Sequence, residues 1–135
     1  MFKDMGLLEE RDVGELAAVS APWLTRLLTT GEYVGWLIEL DGSTVAGAGV
    51  LLREQGPGPG CLRVGKWAHV MNVYTKRHHR RQGLARHLMK TILDWCQANT
   101  IDHVTLGASP EGRPLYESLG FRPTADMKLQ GSARI

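Results

Sequence analysis

The sequence predicts an α/β fold in which helices pack on both faces of a mixed central sheet. A strand, a helix and a second strand follow one another over residues 66–107, an order that makes the two strands parallel. An Asp-Gly pair at residues 41–42 separates two apolar runs, as in an antiparallel hairpin. A sheet that contains both kinds of strand pair is mixed.

The first part of the chain contains two helical segments followed by the hairpin. Helical periodicity marks residues 9–19 and 21–30, and Gly31 ends the second segment. Residues 33–40 and 44–52 are rich in β-formers and supply the two strands of the hairpin. Two helices are therefore expected before the first strand.

The middle of the chain contains a loop, a strand and the longest helix. Residues 53–61 are rich in Gly and Pro and form the loop. Residues 66–75 carry apolar side chains at both odd and even positions, which is typical of a central strand buried on both faces. Residues 83–99 show helical periodicity. The apolar stripe of this helix consists of Leu84, Leu88, Ile92 and Trp95.

The last third of the chain is expected to contribute a strand, a helix and a final strand. The strand covers residues 101–107, and the helix covers 109–120 with Ser109 as its N-cap. Residues 121–129 are expected to form an edge strand, because Pro123 cannot donate a backbone hydrogen bond within a sheet.

Length and composition indicate one globular domain spanning residues 1–135. Of the 135 residues, 43% are apolar, which is enough for a core. No run of 18 apolar residues is present, so no membrane span or membrane partner is expected. Cys61 and Cys96 are too few for a disulfide framework, and no signal peptide is apparent. These features favour a cytoplasmic protein.

Positive charge is concentrated in one part of the chain. Residues 66–90 contain seven Lys or Arg and no Asp or Glu, whereas residues 1–60 contain nine acidic and only four basic side chains. A positive field of this small extent indicates an anionic ligand of limited size. A nucleic acid is not expected as a partner, because no aromatic side chains interleave the charges and the basic stretch is short.

The basic stretch leads directly into the longest predicted helix. A helix N-terminus presents unpaired backbone N–H groups and the positive end of the helix dipole. Gly83 and Ala85 leave the backbone open to close approach, so the amides from Arg81 to Arg86 are suited to a diphosphate. The patterns of P-loop nucleotidases and of dinucleotide-binding Rossmann domains are both absent from the sequence.

Residues 80–85, with the sequence RRQGLA, resemble the acetyl-CoA motif R/Q-x-x-G-x-G/A of the GNAT N-acetyltransferase superfamily. Residues 115–121, with the sequence LYESLGF, resemble the second signature of that family. The resemblance implies a GNAT-like fold with a mostly antiparallel sheet and one splayed parallel pair. It also implies acetyl-CoA as co-substrate and acetyl transfer to a primary amine.

The same resemblance implies roles for particular residues. The backbone of 73–75, in a bulged central strand, would contact the pantetheine arm and the acetyl carbonyl. Amides around 81–85 would hold the pyrophosphate, Ser109 would touch the thiol end, and Tyr116 would act as general acid. The cofactor-binding set is Val73, Tyr74, Thr75, Arg80, Arg81, Gln82, Gly83, Leu84, Ala85, Arg86, Ser109 and Tyr116.

The chemistry needs a neutral amine, a donor to the developing oxyanion, a proton for the leaving thiolate, and the two substrates held together. Direct attack in a ternary complex is expected, because neither cysteine occupies a position suited to a nucleophile. His69 is the candidate base, since imidazole titrates near neutral pH, with Glu32 and a water chain as alternatives. Glu32, Tyr33 and Trp67 are the candidate acceptor-binding residues.

Other interpretations stay open at the level of sequence. A catalytically silent acyl-CoA-binding or regulatory module is the alternative function, because the base is uncertain. A metal site is not expected, since His78 and His79 are adjacent and therefore point apart. The family opens with a strand that residues 1–10 do not resemble. A homodimer that covers the exposed sheet edge is one consequence, and the acceptor is either a small-molecule or a protein amine.

Overall fold

The computed structural model describes residues 21–129, which form one four-stranded sheet in the order β1-β2-β3-β4 together with helices. The expected helix 9–19 and the question of an absent first strand lie outside the described residues. The elements are α1 (21–30), β1 (Tyr33–Leu40), β2 (Ser43–Gln55), β3 (Gly65–Thr75), a 3₁₀ turn (Arg77–His79), α2 (Leu84–Ala98), β4 (His103–Leu106) and α3 (Arg113–Ser118).

The predicted fold class is confirmed. Strands β1, β2 and β3 pair antiparallel, and β3 pairs parallel with β4 through α2. The β1–β2 hairpin turns at Asp41 and Gly42, which have φ of 51° and 78°, so both central residues adopt the left-handed conformation of a type I′ turn. Strand β3 lies between β2 and β4, as the apolar character of residues 66–75 predicts.

One face of the sheet packs against α2 and forms the core. The side chains of Leu88, Met89 and Ile92 on the helix are 2%, 0% and 0% exposed, so the predicted stripe is correct in its central residues. Trp36 of β1 and Trp95 of α2 meet edge to face with ring centroids 5.4 Å apart. The core therefore fixes α2, and hence its N-terminus, relative to the sheet.

Two sequence-based expectations for the C-terminal third are wrong in detail. Residues 121–129 contain no strand, because no strand edge within 21–129 pairs with their backbone. Met127 and Leu129 are accordingly 97% and 92% exposed. Continuous helix α3 begins at Arg113, with Gly112 as N-cap, instead of directly after Ser109. Pro114 lacks the backbone N–H that would continue the series of helical hydrogen bonds toward Ser109.

No helix within residues 21–129 is long and apolar enough to cross a membrane. In the same part of the chain, no group of three or more His, Cys, Asp or Glu side chains is placed to hold a metal ion. Cys96 is buried and Cys61 is partly buried, and neither forms a disulfide. Burial raises the pKa of the Cys96 thiol, which keeps it protonated and unreactive at neutral pH.

Candidate functional site

Strand β3 carries a bulge near its C-terminal end. The register with β2 shifts between Gly47, which pairs with Tyr74, and Gly49, which pairs with Met71. Asn72 and Val73 therefore oppose a single residue of β2, and Asn72 has a positive φ of 58°. The bulge predicted for this strand is present, centred just before residues 73–75.

Strands β3 and β4 part just before the bulge. Their parallel pairing covers only Trp67 to Val70 on β3 and His103 to Leu106 on β4. Strand β3 continues to Thr75, whereas the chain leaves the sheet after Leu106. The β4-facing edge of residues 71–75 is therefore unpaired within the described sheet, which leaves a slot beside the strand.

The N-terminus of α2 lies at the end of this slot and has a concave backbone. Gly83 is its N-cap, with φ 77° and no side-chain cap. Arg81 also has a positive φ, 64°, which is uncommon for a residue with a side chain. Left-handed residues at 81 and 83, on either side of Gln82, direct neighbouring N–H groups toward one side of the turn, an arrangement that can bind anions. Nothing lies within 4 Å of the position that a Cβ would take at Gly83, so the approach to these amides is open.

A cleft of about 650 Å³ joins the slot to the start of α2, and it is called here the α2 cleft. Its walls are the end of β3, the turn before α2 with the first turn of the helix, and the turn before α3. The lining residues are Val73, Tyr74, Thr75, His79, Arg80, Arg81, Gly83, Leu84, Ala85, Arg86, Ser109, Pro110, Glu111, Gly112, Leu115 and Tyr116.

Eleven of the twelve residues predicted to bind the cofactor line the α2 cleft, and Gln82 does not. Two of the arginines also tie the cleft together. Arg80 donates from Nε to the carbonyl oxygen of Thr75 at 3.0 Å, and Arg86 donates from Nη2 to the hydroxyl of Ser118 at 3.0 Å. Sequence reasoning missed five lining residues. One is His79, in the turn before α2, and the placement of the other four, Pro110, Glu111, Gly112 and Leu115, depends on how α3 packs.

Ser109 shapes the turn that precedes α3. Its hydroxyl oxygen accepts a hydrogen bond from the Gly112 N–H at 3.1 Å, and its carbonyl oxygen accepts from Arg113 N–H at 2.9 Å. A Cβ on Gly112 would stand 2.9 Å from Cε2 of Tyr116. The turn therefore provides the bare backbone on which the tyrosine ring rests.

Tyr116 is 9% exposed, and its ring meets Phe121 edge to face at 6.1 Å. Burial raises the pKa of its phenol, so the hydroxyl keeps its proton at neutral pH. Its side chain makes no hydrogen bond to another residue of the described chain. A protonated, uncommitted phenol at a cleft wall is a suitable proton donor.

A second cleft, of about 570 Å³, also has Tyr116 in its wall and is called here the β4 cleft. Its walls come from β3, β4, α3 and the chain after α3. The lining residues are Trp67, His69, Val104, Thr105, Leu106, Ala108, Arg113, Tyr116, Glu117, Phe121, Arg122, Pro123, Thr124 and Asp126. Tyr116 is the one residue within 21–129 that lines both clefts.

His69 is the titratable strand residue in the β4 cleft. Its Nδ1 lies 2.8 Å from Thr105 Oγ1, and Trp67 donates its indole N–H to the same oxygen at 2.6 Å. Thr105 was not identified from the sequence. The parallel register, which places Thr105 directly opposite His69, is what brings the two side chains together.

Two of the predicted acceptor residues lie elsewhere. Glu32 accepts a hydrogen bond from Thr30 at 3.0 Å near the start of β1, and it lines neither cleft. Tyr33 is 8% exposed, and its hydroxyl accepts a hydrogen bond from Asn72 at 3.1 Å. Only Trp67 of that group reaches a cleft, because β3, and not β1, adjoins β4.

Comparison with solved structures supports the same architecture. A GCN5-related N-acetyltransferase from Ralstonia eutropha JMP134 superimposes with a TM-score of 0.86 at 28% identity, over 98% of this chain and 86% of that one. A predicted acetyltransferase from Clostridium acetobutylicum, solved with acetyl-CoA, gives 0.84 at 22% identity over 96% and 82%. Glucosamine-6-phosphate N-acetyltransferase from Arabidopsis thaliana gives 0.70 at 20% identity over 83% and 76%.

No functionally curated protein sequence matches the chain. The sequence profile of the acetyltransferase (GNAT) domain, however, matches residues 16–131, which is most of the chain. The match includes the bulged strand, the start of α2 and the Tyr116 helix, so it covers every wall of the two clefts. The chain belongs to the GNAT acetyltransferase family.

Proposed function

We propose that the protein is an N-acetyltransferase that moves an acetyl group from acetyl-CoA to a primary amine by direct attack in a ternary complex. The α2 cleft receives acetyl-CoA and the β4 cleft receives the amine. The observation that carries the proposal is that Tyr116 lines both clefts, one of which contains the N-terminus of α2 and the other His69.

The α2 cleft fits acetyl-CoA in shape and charge. The amides between Arg81 and Ala85 would hold the pyrophosphate at the start of α2. The unpaired edge of β3 at residues 73–75 would bond the pantetheine arm along the slot, as an added strand would. Ser109 would lie at the thiol end, where its hydroxyl oxygen also accepts the Gly112 N–H. Arg80 and Arg86 stabilise the walls through their own hydrogen bonds and add positive charge.

The reaction forms a bond between the amine nitrogen and the acetyl carbon and breaks the bond between that carbon and sulfur. The amine loses one proton, and the departing sulfur gains one from Tyr116. The raised pKa of Tyr116 suits this role, because the phenol is fully protonated at neutral pH. Negative charge develops on the carbonyl oxygen, and a bulge amide such as that of Val73 or Tyr74 would stabilise it.

His69 is the proposed base for the amine proton. Its Nδ1 is engaged with Thr105, so the base is Nε2. A basic Nε2 requires that Nδ1 carries the proton and donates it to Thr105 Oγ1. That oxygen has two lone pairs and can accept from Trp67 and from His69 together. Trp67 and the charged side chains around the cleft mouth would then contact the acceptor.

The nature of the acceptor is proposed only as a primary amine, carried by a small molecule or by a protein. Glucosamine 6-phosphate and aminoglycosides figure in the names of two structural neighbours, and they serve here as members of a test panel. A cytoplasmic location and a homodimer are further parts of the proposal. The small number of cysteines, which form no disulfide framework, supports the location. The outer edge of β1, which has no strand partner within residues 21–129, supports the homodimer.

Calorimetric titration with acetyl-CoA and a panel of amines with detection of released CoA thiol test the proposal together. Saturable binding of acetyl-CoA and thiol release that depends on an amine are expected. Binding without turnover on any amine would support the silent acyl-CoA-binding module instead. The absence of saturable binding at millimolar acetyl-CoA would contradict both functions.

A further inference from the structure

The β3 bulge depends on a residue in an uncommon backbone conformation. Asn72 has φ of 58°, in the left-handed region that asparagine tolerates better than most residues. A left-handed conformation is nevertheless less favourable than the ordinary one for a residue with a side chain. Such a conformation persists when neighbouring contacts hold it in place.

Tyr33, on the edge strand β1, provides such a contact. Asn72 donates from Nδ2 to the Tyr33 hydroxyl oxygen at 3.1 Å, across the intervening strand β2. The Tyr33 ring reaches this point by lying over Gly49 on the intervening strand, and a Cβ at Gly49 would overlap the Tyr33 hydroxyl. Burial raises the pKa of Tyr33, although the hydrogen bond from Asn72 opposes this effect.

We propose that Tyr33 and Asn72 are positioning residues for acetyl transfer, because they hold the bulge whose amides face the acetyl carbonyl. This inference rests on the proposed function. The peptide unit that joins Asn72 to Val73 carries the Val73 N–H, and the torsion angles of Asn72 set the direction of that unit. Tyr33 therefore acts at a distance, by fixing the rotamer of Asn72 and with it the orientation of the amide.

A purely structural role makes a different prediction. If the hydrogen bond served only to satisfy a buried hydroxyl, its loss would lower stability and leave the catalytic rate of the folded protein unchanged. A positioning role lowers kcat while acetyl-CoA binding is retained, because the pyrophosphate seat at α2 lies elsewhere. The two roles therefore separate when kcat and Kd are measured under conditions in which each variant is fully folded.

Three single variants and one double variant test the inference. Tyr33→Phe keeps the ring over Gly49 and removes the hydrogen bond. Asn72→Gly keeps access to positive φ and also removes the bond, whereas Asn72→Ala removes the bond and makes positive φ costly. We expect kcat to fall by about tenfold for Tyr33→Phe and for Asn72→Gly, and further for Asn72→Ala. Complete removal of an oxyanion donor lowers kcat by about 10²–10³-fold, and a misoriented donor should lower it by less. The double variant that combines Tyr33→Phe with Asn72→Gly should be no slower than either single variant.

The result that would overturn the inference is an unchanged kcat in folded Tyr33→Phe, or a double variant whose losses multiply. Thr91→Val serves as control, because it removes a hydroxyl hydrogen bond on α2 outside both clefts and should keep kcat. An inactive parent protein would contradict the proposed function. In that case the inference is tested by NMR, through the backbone amide of Val73. Its resonance and hydrogen exchange should change in Tyr33→Phe, and an unchanged amide would show that the bulge does not depend on Tyr33.

Discussion

His69 Nδ1 lies 2.8 Å from Thr105 Oγ1, a hydrogen bond that links neighbouring parallel strands at the wall of the β4 cleft. The indole of Trp67 donates to the same oxygen at 2.6 Å. Thr105 therefore holds the imidazole by one nitrogen and leaves the other available to a substrate.

Replacement of Thr105 by Val should lower kcat by about tenfold, because an unheld imidazole no longer presents Nε2 in one orientation. Thr105→Ser keeps the hydroxyl and should retain most of the activity. Steady-state kinetics from about pH 5 to pH 9 provide the measurement, and equal losses in both variants would show that the hydroxyl does not position His69.

Replacement of Tyr116 by Phe should reduce kcat about 10²-fold, which is the lower end of the range for a general acid. The ring still rests on Gly112 and against Phe121, so acetyl-CoA affinity should stay within about threefold of the parent by this packing argument. Calorimetry measures the affinity and thiol release measures the rate. A fully active Tyr116→Phe protein would remove Tyr116 from the mechanism.

Replacement of Gly112 by Ala should displace the Tyr116 ring, because the new Cβ would stand 2.9 Å from its Cε2. We expect a loss of about 1–3 kcal/mol in the free energy of unfolding from overpacking, together with a lower kcat. Gly107→Ala is the matched control, since nothing lies within 4 Å of the position of its Cβ. Urea unfolding of both variants provides the comparison, and equal stability would contradict the close contact.

Replacement of Arg81 by Gly should separate stability from ligand binding. Gly adopts the φ of 64° without steric cost, so the free energy of unfolding should be maintained or raised by up to about 1 kcal/mol. Loss of the positive charge beside the α2 amides should weaken acetyl-CoA binding about fivefold, with a shallower salt dependence. Arg77→Ala is the control, because Arg77 carries a nearby positive charge but does not line the α2 cleft. If Arg77→Ala weakens acetyl-CoA binding as much as Arg81→Gly does, the positive potential of the whole basic stretch, and not the turn at Arg81, holds the phosphates.

Alkaline pH should destabilise the protein through its two buried tyrosines. Burial raises the pKa of Tyr33 and Tyr116 above the ordinary value of 10.0, so the unfolded chain loses these protons first. Their contribution to stability is present in full below about pH 10 and is lost as the pH rises through the raised pKa of the folded state. Urea unfolding between about pH 8 and pH 11 should show this fall, with a smaller slope in Tyr33→Phe. An unchanged slope would contradict burial of the Tyr33 phenol as its cause.

Local signals in the sequence were sufficient for the elements and for one half of the site. The Asp41-Gly42 turn, the apolar β3 and the Gly83 helix start each depend on neighbours within a few residues, so they can be read from sequence alone. The residues of the α2 cleft follow from them, because the strand, the turn and the helix are consecutive in the chain. The prediction of a strand over 121–129 was wrong, because a strand requires the edge of a partner strand, and a local pattern does not show whether one is present.

The sequence by itself determined a mixed α/β fold and the start of α2 directly after Gly83. Only the tertiary structure decided that Thr105 contacts His69, that Tyr33 contacts Asn72 across β2, and that Tyr116 lines two clefts. These contacts join residues that are far apart in the chain or depend on the packing of α3. They are set by strand register and helix placement, which arise from burial of the whole core, and no short stretch of sequence encodes them.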